Sequence, residues 1–168
     1  MHRQFPKAKM YGTERHLSKF PELPWETMRS EDPALHAQFS DDFQFSVPKG
    51  VDFISADENV HFSSVLAYHL TSKTLHVDDT YMYARLPALA RLAGFSDVTK
   101  FHPTLAKALE PRMGAAQEFR KWAEALNITW GEARNLCAAH LATLSAEKIM
   151  AHPSKSVCAM PFLMSKAL

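Results

Sequence analysis

Val60-His61-Phe62-Ser63-Ser64-Val65-Leu66-Ala67-Tyr68-His69-Leu70-Thr71-Ser72-Lys73-Thr74-Leu75-His76-Val77-Asp78-Asp79-Thr80 is the stretch on which the fold turns. Two apolar runs, Val60 to Leu70 and Thr74 to Val77, flank the short polar connection Thr71-Ser72-Lys73. That length and chemistry fit a hairpin, so the two runs are expected to pair antiparallel. His61 and Asp79 stand at the ends of apolar stretches, and His140 closes a third, Asn135-Leu136-Cys137-Ala138-Ala139. Each is of a residue type that binds a borderline metal such as zinc. Open α/β sheets place their chemistry at the carboxyl ends of strands, where Asp79 falls. A carboxylate pair after a strand is also ordinary for a solvated turn. Adjacent strand residues point to opposite faces, so only one of Asp78 and Asp79 can face a cleft squarely.

Upstream of this stretch, Val51-Asp52-Phe53-Ile54 extends the β-rich region and is broken at Asp57-Glu58-Asn59. Phe43, Phe45 and Val47 alternate with polar residues, the pattern of a half-buried strand. Ser30-Glu31-Asp32-Pro33 reads as the start of a helix running to about Phe39, with a capping serine and acids suited to the helix dipole. Thr13 to Phe20 fits a brief helix broken by Pro21 and Pro24, and Pro6 to Gly12 a short strand. Beyond Tyr83 the pattern turns helical. Pro87 to Leu92 closes on Gly94, and His102 to Leu109 stops before Pro111. Gly114 to Leu126 carries Phe119, Trp122, Ala123 and Leu126 on one face. Asn135 to Ala139 fits a buried strand, and Ser145 to Met150 a last helix. The layout is an α/β layered sheet-and-helix domain over residues 1–150, followed by a poorly patterned tail over residues 151–168.

Composition narrows the function classes. The 168 residues are enough for one domain with a real core, and 46% apolar and 22% charged residues are ordinary values. A formal net charge of +1 gives no electrostatic argument for nucleic acid or a membrane surface. No apolar run approaches the roughly 20 residues that span a bilayer, and Met1 to Lys7 lacks the apolar core of a signal peptide. Cys137 and Cys158 are too few for a disulfide framework, so a cytoplasmic setting is expected.

Some chemistry-bearing residues have plainer readings. His69 and His76 lie inside strands as packing or surface residues, and Cys137 reads as a small buried apolar residue. Arg85, Arg91, Lys100 and Arg112 could attract an anion but suit a solvated helical face, while Phe119 and Trp122 suit the core. No Gly-rich phosphate loop, Gly-x-Ser-x-Gly or His-Glu-x-x-His occurs in the sequence.

Taken in order, these segments resemble the second half of the metallo-β-lactamase αββα sandwich. Val60-His61-Phe62-Ser63-Ser64 resembles the family's His after the central strand. Leu75-His76-Val77-Asp78-Asp79-Thr80 resembles its Leu-x-Val-Gly-Asp-Thr segment, with Asp78 in the usual Gly place. Cys137-Ala138-Ala139-His140 resembles its late strand-ending His, and Phe5 to Gly12 resembles the passage from a helix into a strand. The resemblance covers about residues 1–145. It implies a metal-dependent hydrolase with a zinc, and in complete relatives a di-zinc, centre. His61 would serve the first metal, Asp79 would bridge, and His140 would serve the second. The family's His-x-His-x-Asp-His motif is absent, and nothing in Met1 to Lys9 replaces it. The expectation is therefore a partial domain: a hydrolase remnant, weak or inactive alone, that self-associates or needs a complementing chain. Its small-molecule substrate is not legible. The other reading is a non-catalytic α/β protein-interaction module with no bound metal.

Overall fold

The expected hairpin forms the centre of the sheet. In the computed structural model, which describes residues 4–55, 57, 59–60, 62–78, 80–84, 86–95, 98–138 and 143–144, β2 is Leu66–His69 and β3 is Thr74–Asp78. They pair antiparallel with Ala67 opposite His76 and His69 opposite Thr74. The first part of the run, Val60 to Val65, forms no strand where it is described, although Val60, Phe62 and Ser64 are buried. β1, Phe43–Ser46, pairs antiparallel with β2 and makes one edge. β6, Asn135–Ala138, joins β3 in parallel, and β7, Thr143–Leu144, pairs antiparallel with β6. The order is β1-β2-β3-β6-β7, a mixed five-stranded sheet.

The parallel step from β3 to β6 needs a crossover, since parallel neighbours cannot be joined by a tight turn. Helix α5, Ala115–Thr129, lies within that connection. Of the expected stripe, Phe119, Trp122 and Ala123 are buried and Leu126 is partly buried against the core; Ala115 is buried too, and the helix runs three residues past Leu126. The sheet face carrying Leu66, Tyr68, Leu75, Val77 and Leu136 shares one core with these residues. Each fully buried large side chain contributes about 1.5–3 kcal/mol of transfer free energy. Two indole N–H groups find acceptors on the edge strand: Trp122 Nε1 donates to Ser46 Oγ at 2.8 Å and Trp130 Nε1 to Gln44 Oε1 at 2.7 Å. These bonds tie the helix and the turn after it to β1.

The other elements refine the sequence reading. α1, Glu14–Lys19, follows its expected outline, and Thr13 N–H donates to His16 Nδ1 at 3.2 Å. α2, Pro33–Gln38, starts later than expected: Asp32 is its cap and Pro33 its first residue, so both acids precede the first turn. Asp32 Oδ2 accepts from Arg29 N–H at 2.7 Å, which holds the chain in a turn before the helix. α3, Ala88–Leu92, ends as expected at Gly94. α4 is only Leu105–Ala108, because His102 caps Thr104 through its ring and Leu105 N–H bonds His102 C=O in a tighter turn.

Three expectations are corrected. Pro6 to Gly12 forms no strand; its one ladder contact is a bridge from Met10 to Trp25, because no neighbouring strand runs alongside it. Val51 to Ile54 is not a sheet strand either. Val51 bridges Leu109, Gly50 C=O accepts from Glu110 N–H, and Asp52 N–H donates to Ala108 C=O. The segment thus docks on the end of α4. Gly50 permits this with φ +69, and an added Cβ would lie 2.2 Å from Ala115 C=O. Third, the pattern beyond Tyr83 is not helical throughout: β5, Val98–Phe101, is a strand that pairs antiparallel with β4, Tyr81–Ala84. Edge-to-face rings connect this second sheet to α5, with Tyr81–Phe101 at 5.6 Å and Phe101–Phe119 at 5.1 Å.

The architecture is mixed α/β. The expected helix Ser145 to Met150 and the tail 151–168 lie outside the described residues. Among the described residues no helix is long and apolar enough to cross a membrane.

Candidate functional site at the ends of the parallel strands

The register of the parallel pair is fixed at one end. Lys73, in the hairpin turn with φ 51, offers its C=O to the N–H groups of both Arg134 and Asn135, at 2.8 and 3.2 Å. Asn135 Nδ2 donates to Ser72 C=O at 3.0 Å and to Thr74 Oγ1 at 3.3 Å. Lys73 Nζ pairs with Glu132, and this contact holds the Glu132 carboxyl below its ordinary range. From there Leu75 faces Leu136 and His76 faces Cys137 in regular order.

At the other end the ladder changes. Asp78, not Val77, is opposite Ala138, so β3 carries one extra residue and bulges. Asp78 has φ 46, a left-handed conformation that Asp tolerates better than most residues but at a cost of order 1 kcal/mol. A tight turn follows: Thr80 N–H donates to Val77 C=O at 3.0 Å, and Thr80 C=O accepts from His102 N–H at 3.2 Å. Ser64 Oγ donates to Asp78 Oδ2 at 3.4 Å across the sheet end. Ser64 and Thr80 are 2% and 1% exposed, and the Thr80 hydroxyl has no partner among the described residues. A buried hydroxyl left without a partner costs about 1–3 kcal/mol; Tyr11, Glu31 and Arg91 each have such a buried atom as well.

The three metal candidates, His61, Asp79 and His140, lie outside the described residues. Their described neighbours in sequence show what the fold brings together. Asp78 and Ala138 are partners across the pair; Asp79 is the next residue after the first, and His140 comes two after the second. His61 lies between Val60 and Phe62, both buried, and Arg15 Nη1 donates to Val60 C=O at 3.4 Å. Among the described residues no three His, Cys, Asp or Glu side chains converge as a metal group.

The remaining candidates sort as follows. His69 packs tilted against Phe43 with ring centroids 4.9 Å apart and bonds Ser72 Oγ, and His76 is exposed, as packing and surface residues should be. Cys137 was expected buried and is half-buried instead, because it points to the sheet face opposite α5. Arg112 pairs with Glu118 and Glu110, and those hydrogen bonds raise its already high pKa. Arg91 is half-buried, while Arg85 and the Lys100 side chain lie outside the description. The sequence does not single out Ser64 or Thr80: each stands beside other polar residues, Ser63 and Asp79, in a segment with several plainer readings.

Comparison with protein-family models, with curated proteins and with solved structures gave no match. The donor chemistry itself limits what can be held. Two imidazoles and one carboxylate fit a single zinc with an open coordination position, whereas two metals would both be under-coordinated. The unpartnered Thr80 hydroxyl beside Asp79 in sequence fits a polar site at this strand end.

Proposed function

We propose that the chain carries part of a metallo-β-lactamase-like hydrolase centre, with His61, Asp79 and His140 as the metal-holding residues and low activity on its own. The observation that carries this reading is the parallel pairing of β3 with β6, in which Asp78 is opposite Ala138. It directs two of the three candidate segments to one end of the sheet, the carboxyl end at which open α/β sheets build sites. The left-handed backbone of Asp78 adds support, since the resembled family has Gly at that place. A bound zinc would supply a water acidified toward a pKa of about 7 and thus a nucleophile at neutral pH. The chain's own part is to hold the cation with two imidazoles and one carboxylate, with the Asp78 carboxylate accepting from Ser64 at the same strand end. A cytoplasmic setting and a small-molecule substrate belong to the same reading. A two-metal centre like that of the complete relatives would need further donors, which a second copy or a complementing chain would supply.

Zinc content after loading and desalting tests this, with Asp79→Ala as control. Near-stoichiometric zinc that disappears in the variant supports the centre. Zinc equal in both proteins rejects it.

A second reading is a non-catalytic interaction module. Leu89 and Leu92 of α3 are 83% and 86% exposed, and Phe95 just beyond is 65% exposed. Apolar residues gathered at the surface in this way mark contact surfaces more often than isolated ones do. Sedimentation of the wild type against Leu89→Asp/Leu92→Asp separates the readings: association lost in the variant, with zinc absent from both, favours the module.

A further inference from the structure

β1 ends the sheet, and its outer side is open among the described residues. Phe43 to Ser46 pair with His69 to Leu66 without a bulge, and Leu70 N–H donates to Asp42 C=O at 2.9 Å. Bonded positions alternate along an antiparallel ladder. The backbone groups of Asp42, Gln44 and Ser46 therefore face β2, and those of Phe43 and Phe45 face outward. Phe43 N–H donates to Phe39 C=O at 2.8 Å. The Phe45 N–H and C=O and the Phe43 C=O have no backbone partner among the described residues. Proteins commonly blunt such an edge with a charge, a bulge or a proline. β1 contains none of these, and Pro48 comes only after it. The strand is also held on both faces. Trp122 and Trp130 donate to Ser46 and Gln44 on one, and on the other the rings of His36, Phe45, Phe43 and His69 follow one another at centroid distances of 4.9, 5.8 and 4.9 Å. An edge already ordered in this way loses little freedom on pairing.

We propose that β1 is the docking edge for a second copy of this chain, pairing antiparallel with its counterpart about a two-fold axis at Phe45 and extending the sheet through both copies. The inference stands on β1 and not on the metal centre. Charge and hydrogen bonding select both the occupant and the register. Asp41 and Asp42 precede the strand and Lys49 follows it; all three are exposed, and none makes an ion pair among the described residues. An antiparallel copy centred on Phe45 has Asp41 opposite the partner's Lys49, and symmetry repeats the contact beyond the axis. Phe45 then lies opposite the partner's Phe45, each N–H donating to the other's C=O, and the open Phe43 C=O faces the N–H of the partner's Val47. Aromatic pairs directly opposed across a ladder add to its stability. Centring the axis on Gln44 instead sets Asp41 opposite the partner's Val47 and loses the charge match.

Sedimentation velocity of the full chain over a concentration series tests this for the wild type, Phe45→Pro, Lys49→Asp, Asp41→Lys and the double variant Asp41→Lys/Lys49→Asp. Thermal melts of each protein check folding. The wild type dimerises. Phe45→Pro removes the central donor and is monomeric. Each single charge variant sets like charges against each other on both sides of the axis and weakens the dimer about tenfold. The double variant restores opposite charges and returns to wild-type association. Asp41 and Lys49 are exposed, so the charge variants read the interface even where Phe45→Pro fails to fold. A wild type that stays monomeric at its highest soluble concentration overturns the inference. So does a dimer that the charge exchange leaves untouched, or one lost instead in Leu89→Asp/Leu92→Asp, which assigns association to α3.

Discussion

The two ends of the β3–β6 pair are built from the same two strands and differ in kind. At the Lys73 end polar groups interlock: one C=O takes two N–H groups, and the Asn135 amide makes two more contacts. At the Asp78 end the ladder slips by a residue, a non-glycine residue has positive φ, and a buried hydroxyl has no partner among the described residues. The first end sets register. The second carries conformational cost. A sheet can hold a strained, polar end only where the opposite end and the apolar middle fix the strands firmly enough to oppose its relaxation.

Removing the apolar middle should collapse the distinction altogether. Leu75→Ala, at a position 2% exposed and opposite Leu136, is expected to lose about 3 kcal/mol, read as a fall in the urea midpoint with unchanged slope. Loosening only the register end should cost less. Asn135→Ala removes two side-chain hydrogen bonds and is expected to lose about 1–2 kcal/mol in the same measurement.

The strained end should respond in the opposite sense to the size of the side chain. Asp78→Val places a β-branched residue in the left-handed region and is expected to destabilise by about 2 kcal/mol. Asp78→Gly is expected to change stability by less than about 1 kcal/mol, since relief of strain offsets the lost Ser64 contact. Equal losses in the two variants would remove backbone strain from the account of this end.

The smallest effect is the pH response of the Lys73–Glu132 pair. Lys73 lowers the Glu132 carboxyl, so the pair's stabilisation is present above the ordinary carboxylate pKa and disappears as pH falls through the lowered value. Glu132→Gln should therefore melt slightly below the wild type at neutral pH and coincide with it in strong acid. Glu132 is largely in water, which keeps the difference slight.

Much of this was legible in the chain because it is local. The Thr71-Ser72-Lys73 connection announced the β2–β3 hairpin, and the spacing of Phe119, Trp122 and Ala123 announced the buried face of α5. Val51 to Ile54 has strand composition, but a ladder needs a neighbour, and the nearest one is the end of α4. β4 and β5 went unread for the same reason: Tyr81 and Phe101 are partners twenty positions apart, and neither segment alternates strongly by itself. Of the site, the sequence offered His61, Asp79 and His140 as candidate donors, and these lie outside the described residues. It offered nothing on Ser64, because a serine in an apolar run gives no hint of which distant carboxylate it meets.

The sequence by itself determined the hairpin and the amphipathic helix, since each follows from residue types within a few positions of one another. Tertiary structure alone decided that β6 lies parallel to β3, that the register slips at Asp78, and that a buried hydroxyl reaches that carboxylate. Those outcomes depend on which surfaces α5 covers and on which N–H groups the Lys73 carbonyl receives. They are properties of packing between segments dozens of residues apart, and no local pattern encodes them.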